Sequence, residues 1–227
     1  MVKIEPSTTK GEQTREAILR AALELFREKG FDATAMHEIA ARAQVAKGAA
    51  YYYFDSKEAI IQAYYEAVQT AQEQICDEKF SATPDLKKRL LLAMHSKFDL
   101  AQNDRKLLGI IFRYTGEPAH PLSCLGPQTS EMRRRAMAIF QRALEVERLP
   151  KDLEQTLPIA LWALQMGLLV MFLYDDSASQ KRTRQLADGS IDFTLKMLTL
   201  VKLPVLLTIR TKLLALLREA QLIPDLS

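Results

Sequence analysis

The run from Thr34 to Lys57 constrains this chain more than any other, because two short helices joined by a tight turn accommodate its pattern. It reads Thr-Ala-Met-His-Glu-Ile-Ala-Ala-Arg-Ala-Gln-Val-Ala-Lys-Gly-Ala-Ala-Tyr-Tyr-Tyr-Phe-Asp-Ser-Lys. Thr34 carries a hydroxyl able to cap a helix. Met36, Ile39, Ala40 and Ala43 then recur at helical spacing and form one buried stripe. The period breaks at Gln44-Val45, where Val45 is the one apolar residue that an inter-helical turn would bury, and a new periodic segment starts near Ala46. Asp55 or Ser56 is placed to cap a further helix.

Upstream, Ile18, Ala22, Leu25 and Phe26 mark one face of a helix ending at Gly30, a residue suited to the left-handed position after a helix. Three helices with such a turn make a small DNA-reading domain. Its second turn-helix carries Lys47, Gly48, Ala49, Tyr51 and Tyr52. Lysine supplies charge to phosphates, glycine and alanine let the backbone approach a groove wall, and tyrosine bonds phosphate oxygens or packs on thymine methyls. His37 and Lys57 flank this segment as backbone clamps, with Thr34 at the start of the preceding helix. Tyr53 and Phe54 are assigned to the core, since three adjacent tyrosines cannot all face inward on a helix.

Charge does not announce this function. From Met1 to Lys57, Lys and Arg number nine and Asp and Glu eight, and the whole chain carries a net +3. Affinity must come from a few placed contacts, doubled by a dimer, rather than from a general basic patch.

The stretch from about Ile18 to Ile60 resembles the TetR/AcrR family of one-component bacterial transcription regulators. The residues that carry the resemblance are Ala22-x-x-Leu25-Phe26 followed by Lys29-Gly30-Phe31, then Thr34, Ile39-Ala40, Ala43, Val45, Lys47-Gly48, Tyr51, Tyr53-Phe54 and Lys57. Three positions depart from the family's habit, which is glycine at Gln44, a serine, threonine or aspartate cap at Ala46, and a larger aliphatic at Ala50. A non-glycine turn residue and a missing cap each cost about 1 kcal/mol. The resemblance implies an all-α chain, with a three-helix helix-turn-helix domain over 1–57 and a larger helical effector-binding and dimerisation domain over 58–227. It implies a cytoplasmic homodimer that binds a palindromic double-stranded operator, most often as a repressor, and that a small-molecule effector releases. The alternative is a helical interaction or sensor protein that has lost specific DNA binding.

Past Lys57 the pattern stays helical. Segments are expected at about 57–80, 86–103, 107–115, 128–147, 151–176, 179–203 and 205–222, with a proline-rich loop before Gln128. With 48% hydrophobic residues, this remainder fills a core of its own. The run Leu157–Tyr174 is apolar apart from Pro158, Gln165 and Gly167 and nearly spans a bilayer in length. Its proline, its glutamine and its amphipathic neighbours argue against insertion, so it must be buried on all sides. One face packs on its own domain and the other takes a ligand or a second subunit. The segments 151–176 and 179–203 are therefore the expected dimer surface. His95, Phe98, Phe112, Arg113, Tyr114, Trp162, Gln165 and Met166 offer aromatic walls with a few polar groups for a partly apolar effector.

Other classes find little support. His37, His95 and His120 show no metal-ligand spacing, so neither metal nor cofactor is expected, and no nucleophile elbow or phosphate loop is present. The chain is not expected to be an enzyme. Met1 to Lys10 is polar without an apolar leader, and Cys76 and Cys124 read as small hydrophobes, Cys124 being the better placed of the two for redox chemistry. The cluster Arg133-Arg134-Arg135 reads as a solvated face.

Overall fold

The computed structural model describes residues 9–201 together with residues 211, 212, 215, 216 and 219. The helices are α1 (Lys10–Lys29), α2 (Met36–Arg42), α3 (Lys47–Tyr53), α4 (Lys57–Phe80), α5 (Leu86–Ala101), α6 (Arg105–Arg113), α7 (Ser130–Leu144), α8 (Lys151–Tyr174) and α9 (Lys181–Val201). No strand occurs among the described residues, as the sequence pattern leads one to expect. The helix expected over 205–222 lies largely outside them. The chain divides into two compact units, one formed by residues up to Gln74 with Asp99–Arg135, the other by Ile75–Phe98 with residues from Ala136 onward.

In the first unit, α1 begins with a reciprocal cap, in which the Glu12 amide donates to the Thr9 hydroxyl and the Thr9 amide to the Glu12 carboxylate. It ends at Gly30, whose φ of 92° requires a residue without Cβ. Ile18, Ala22, Phe26, Ile39, Ala50, Phe54, Ile60 and Ile61 form the apolar centre that α1 to α4 share. At the edge of this core lies a buried carboxylate, Asp104. Arg27 of α1 donates to it at 2.7 Å and the Tyr64 hydroxyl of α4 at 2.8 Å. Burial first, and the Asp104 charge second, push the Tyr64 phenol above its ordinary value, so it stays a donor. The neighbouring Tyr65 hydroxyl donates to the Leu107 carbonyl, which ties α4 to α6.

The arginine cluster of α7 is not a solvated face. Arg135 forks onto Glu73, 2.6 and 3.0 Å away, and reaches the Thr70 hydroxyl at 2.8 Å, while Arg133 donates to the Cys124 carbonyl at 2.9 Å. Of the three, only Arg134 is fully exposed, where it pairs with Glu131. Sequence spacing placed the cluster around the helix circumference; it did not reveal that acceptors wait on two of those sides.

In the second unit, α8 packs one side onto α5, where the Gln165 amide donates to the Ala93 carbonyl at 3.0 Å and Phe172 stacks on Phe98 at 5.2 Å. A hydrogen bond between His95 Nε2 and Asp188 and an ion pair between Lys87 and Asp192, both 2.6 Å, join α5 to α9. By length and composition alone α8 is apolar enough to cross a bilayer, with 24 residues and an 18-residue stretch of mean hydropathy 1.9, yet core helices share that composition. Among the described residues α8 is covered on one side only. Ala160, Ala163, Gly167, Val170, Met171 and Tyr174 form an exposed stripe at helical spacing, and α9 presents a matching one through Leu186, Gly189, Phe193, Met197 and Leu200.

Asp104→Ala strips an acceptor from two donors and is expected to cost about 2 kcal/mol, at the middle of the range for hydrogen bonds to charged groups, because Arg27 keeps partial access to water. Arg134→Ala, on an exposed and solvent-screened pair, is expected to leave stability nearly unchanged. Urea unfolding midpoints of the two variants check the contrast.

Candidate nucleic-acid interface

The turn between α2 and α3 and the exposed side of α3 form the candidate interface. Before α2, Thr34 does not act as the cap. It is 2% exposed, and its hydroxyl donates to the Gly30 carbonyl at 2.8 Å, so it braces the α1–α2 turn and cannot reach DNA without that turn opening. The N-cap is Ala35, whose amide is satisfied at 2.7 Å by Glu38 reaching back. Alanine lacks an acceptor, so only this half of the reciprocal cap forms. Lys29, then the Ala35 amide, hold the Glu38 carboxyl below the usual carboxylate range.

Helix α2 closes at a left-handed residue. Gln44 has φ of 57°, with its amide on the Ala41 carbonyl and the Val45 amide on the Ala40 carbonyl. For a residue with a Cβ this conformation costs about 1 kcal/mol or more. Val45 is half-buried, as the turn requires, and Ala46 caps α3 by backbone alone.

Along α3 the burial alternates at helical spacing. Ala50 is fully buried against the core and Phe54, just past the helix, is 3% exposed. A larger side chain at position 50 would have to displace that core, which is the local reason for an alanine. On the opposite side Tyr51 is 45% and Tyr52 83% exposed, with Lys47 and Gly48 open to solvent and Ala49 half-buried. The Lys47 ammonium lies 6.0 Å from the Tyr51 ring centre. Tyr53 is half-buried, its ring edge-on to Tyr52, and a Cβ on Gly11 would sit 3.3 Å from its hydroxyl, so the end of α3 packs against the start of α1.

The near-neutral charge conceals a sorting. Arg27, Lys29 and Arg42 are held by Asp104, Glu38 and Glu28. Lys57 is held as well, against its expected part as a DNA clamp: its ammonium donates to the Phe31 carbonyl at 2.7 Å and lies over the Phe31 ring at 4.6 Å. It fastens α4 to the α1–α2 turn. Ser56 caps α4 by accepting the Ala59 amide at 3.1 Å. His37 is exposed on the first turn of α2. The structure thus gathers His37, Lys47, Gly48, Tyr51 and Tyr52 at the surface, leaves Ala49 between, and withdraws Thr34 and Lys57. Asp104 escaped the sequence reading, because its partners lie 77 and 40 residues away and nothing local marks it.

The eight residues suggested for an effector do not fall in one unit. Phe112, Arg113 and Tyr114 belong to the first, where Arg113 places its guanidinium on Asp32 and Tyr114 stacks on His120 at 3.7 Å. His95, Phe98, Trp162, Gln165 and Met166 belong to the second. There Phe98 is wholly buried, Gln165 nearly so, and Trp162 and Met166 are half-buried. Both cysteines are buried, Cys124 with its Sγ 3.3 Å from the Thr115 hydroxyl, and burial pushes the Cys76 thiol up. No cluster of three metal-ligating side chains occurs among the described residues.

Residues 18–64 match the model of the bacterial regulatory proteins of the tetR family, and residues 89–210 match the tetracyclin repressor-like C-terminal domain. The chain belongs to the TetR family of transcriptional regulators. TetR-family proteins are regulators and not enzymes. An uncharacterized helix-turn-helix regulator of Bacillus subtilis, YdgC, is 29% identical over 143 residues, covering 61% of this chain and 68% of YdgC. A TetR regulator from Nitrosomonas europaea superimposes with a TM-score of 0.64 at 20% identity, over 79% of this chain and 96% of its own. FadR of Bacillus subtilis, crystallised with stearoyl-CoA, does so with 0.59 at 18% identity, over 78% and 96%. At these identities the two structures establish the fold alone. His37, Lys47, Gly48, Ala49, Tyr51 and Tyr52 all lie inside the matched N-terminal segment.

Ala46→Ser supplies the cap that α3 lacks and is expected to stabilise the protein by about 1 kcal/mol, read as a raised midpoint in denaturant.

Proposed function

We propose that this TetR-family regulator is a homodimeric repressor that binds a palindromic operator and is released by a partly apolar small molecule. One observation carries the DNA-reading part, namely a short helix whose inner residue Ala50 is fully buried while Tyr52 projects at 83% exposure beside Tyr51 and Lys47. Residues 1–57 are the reading part and 58–227 the effector and dimerisation part. Lys47 meets phosphate or a guanine edge, Gly48 and Ala49 permit close approach, Tyr51 and Tyr52 meet phosphate and base edges, and His37 clamps the backbone. Thr34 and Lys57 act behind them by holding the α1–α2 turn.

A single short helix reads only a few base pairs, so a two-fold partner is needed to read a site of useful length. The exposed stripes of α8 and α9 are the surface for it. Phe193 at 64% and Tyr174 at 81% exposure are large, mainly apolar groups that the described residues leave open. His95, Phe98, Trp162, Gln165 and Met166 line the effector region, and the stearoyl-CoA of FadR supports an apolar ligand. Effector and operator then favour different spacings of the two reading helices, with α4 carrying the change as a swing. A coupling of about 1–3 kcal/mol alters operator affinity by roughly 5- to 150-fold. The protein acts in the cytoplasm, where the operator is.

Binding to DNA selected from a random pool tests the reading. Lys47→Ala is expected to weaken binding and to flatten its salt dependence, whereas Tyr52→Ala changes base preference. A wild-type protein that forms no sequence-selective, salt-dependent complex contradicts the regulator assignment for this chain. Phe193→Glu is expected to yield folded monomers by sedimentation, with binding to the palindrome lost. A reporter driven from that operator separates repression from activation.

A further inference from the structure

Gln44 is held in the left-handed region at φ 57° by the two backbone hydrogen bonds that close α2, at 3.1 and 3.0 Å. The same unit closes α1 with a positive-φ residue that is a glycine, Gly30 at 92°. The left-handed conformation is disfavoured for any residue with a Cβ. Nothing among the described residues offsets the choice of glutamine here. Its side chain is exposed, and it has no hydrogen bond, ion pair or ring contact among the described residues. A locally disfavoured side chain without an internal partner is the kind of outlier that gathers at functional surfaces. Beside it in the chain stand the exposed Ala46, Lys47 and Gly48, which lead into the face of α3 already described.

We propose that Gln44 is a specificity-determining residue for operator recognition, its carboxamide reading the edge of an adenine. A glutamine amide donates to N7 and accepts from N6 of adenine, a pairing that no other base offers in the same arrangement. The assignment rests on α3 being the DNA-facing helix.

The test uses the full chain. Wild-type protein selects its operator from a random DNA pool, and Gln44→Gly and Gln44→Ala are then titrated against that operator by fluorescence anisotropy at fixed salt. The titrations are repeated on versions with each A·T pair exchanged in turn, and thermal unfolding is recorded for every protein. Gln44→Gly removes the backbone conflict, so its melting temperature should equal or exceed that of the wild type. It should nonetheless bind about tenfold or more weakly and lose its preference at one A·T pair in each half-site. Gln44→Ala, which keeps the conflict and lacks the amide, should show both losses. Wild-type affinity and wild-type preference in both variants overturn the proposal, as does a uniform weakening with preference intact. A loss confined to Gln44→Ala overturns it too, because that pattern belongs to the backbone. A wild-type protein that selects no sequence defeats the DNA-reading assignment itself, and Gln44 falls with it; selection by the wild type with both variants unchanged defeats Gln44 alone.

Discussion

Asp104 is the charge around which the first unit is organised. A carboxylate taken out of water is tolerable only if it is fully engaged, and here one oxygen takes the Arg27 guanidinium and the other the Tyr64 hydroxyl. The donors come from α1 and α4, and the acceptor sits at the start of α6. Moving any one of the three elements leaves a buried polar group without its partner. The Arg113 guanidinium on Asp32 and the Tyr65 hydroxyl on the Leu107 carbonyl fasten α6 to the α1–α2 turn and to α4 by separate routes. These links make the reading helices and α6 a single mechanical body, and Lys57 closes it by gripping the Phe31 carbonyl.

That body explains how so nearly neutral a domain can carry a DNA-reading face. Its cations are mostly spent on internal partners, and the helix that meets solvent is left with one lysine and two tyrosines. Helix α3 is only seven residues long, lacks a side-chain cap and follows soon after a left-handed glutamine. Its stability comes from Ala50 and Phe54 in the core and from Tyr53 against Gly11, hence from packing and not from propensity. The same logic governs α8. Its covered side is fixed by Gln165 and Phe172 against α5, and its open side is an exposed apolar stripe like that of α9.

Much of this was legible in the residues. Helical periodicity located α1 to α9, because each has an apolar stripe, and Gly30 and the Asp55-Ser56 pair marked boundaries through local sterics and capping. The surface of α3 was legible for the same cause: three consecutive tyrosines must point in different directions. Charged partners were not legible. Arg133, Arg135, Lys57 and Asp104 all look like solvated residues in the chain, and their roles are set by acceptors far away in sequence. Thr34 misled in a more instructive way, since a hydroxyl before a helix usually caps it, whereas here the Glu38 carboxylate satisfies the first amide and frees the threonine to brace the preceding turn.

The central claim, that two copies of this chain read one palindrome through α3, is met most directly by hydroxyl-radical footprinting of the full-length protein on DNA it has selected. The account requires two protected half-sites related by two-fold symmetry, with centres about 34–36 Å or a multiple apart along the duplex. Protection of a single unsymmetric stretch, or of none, would contradict it.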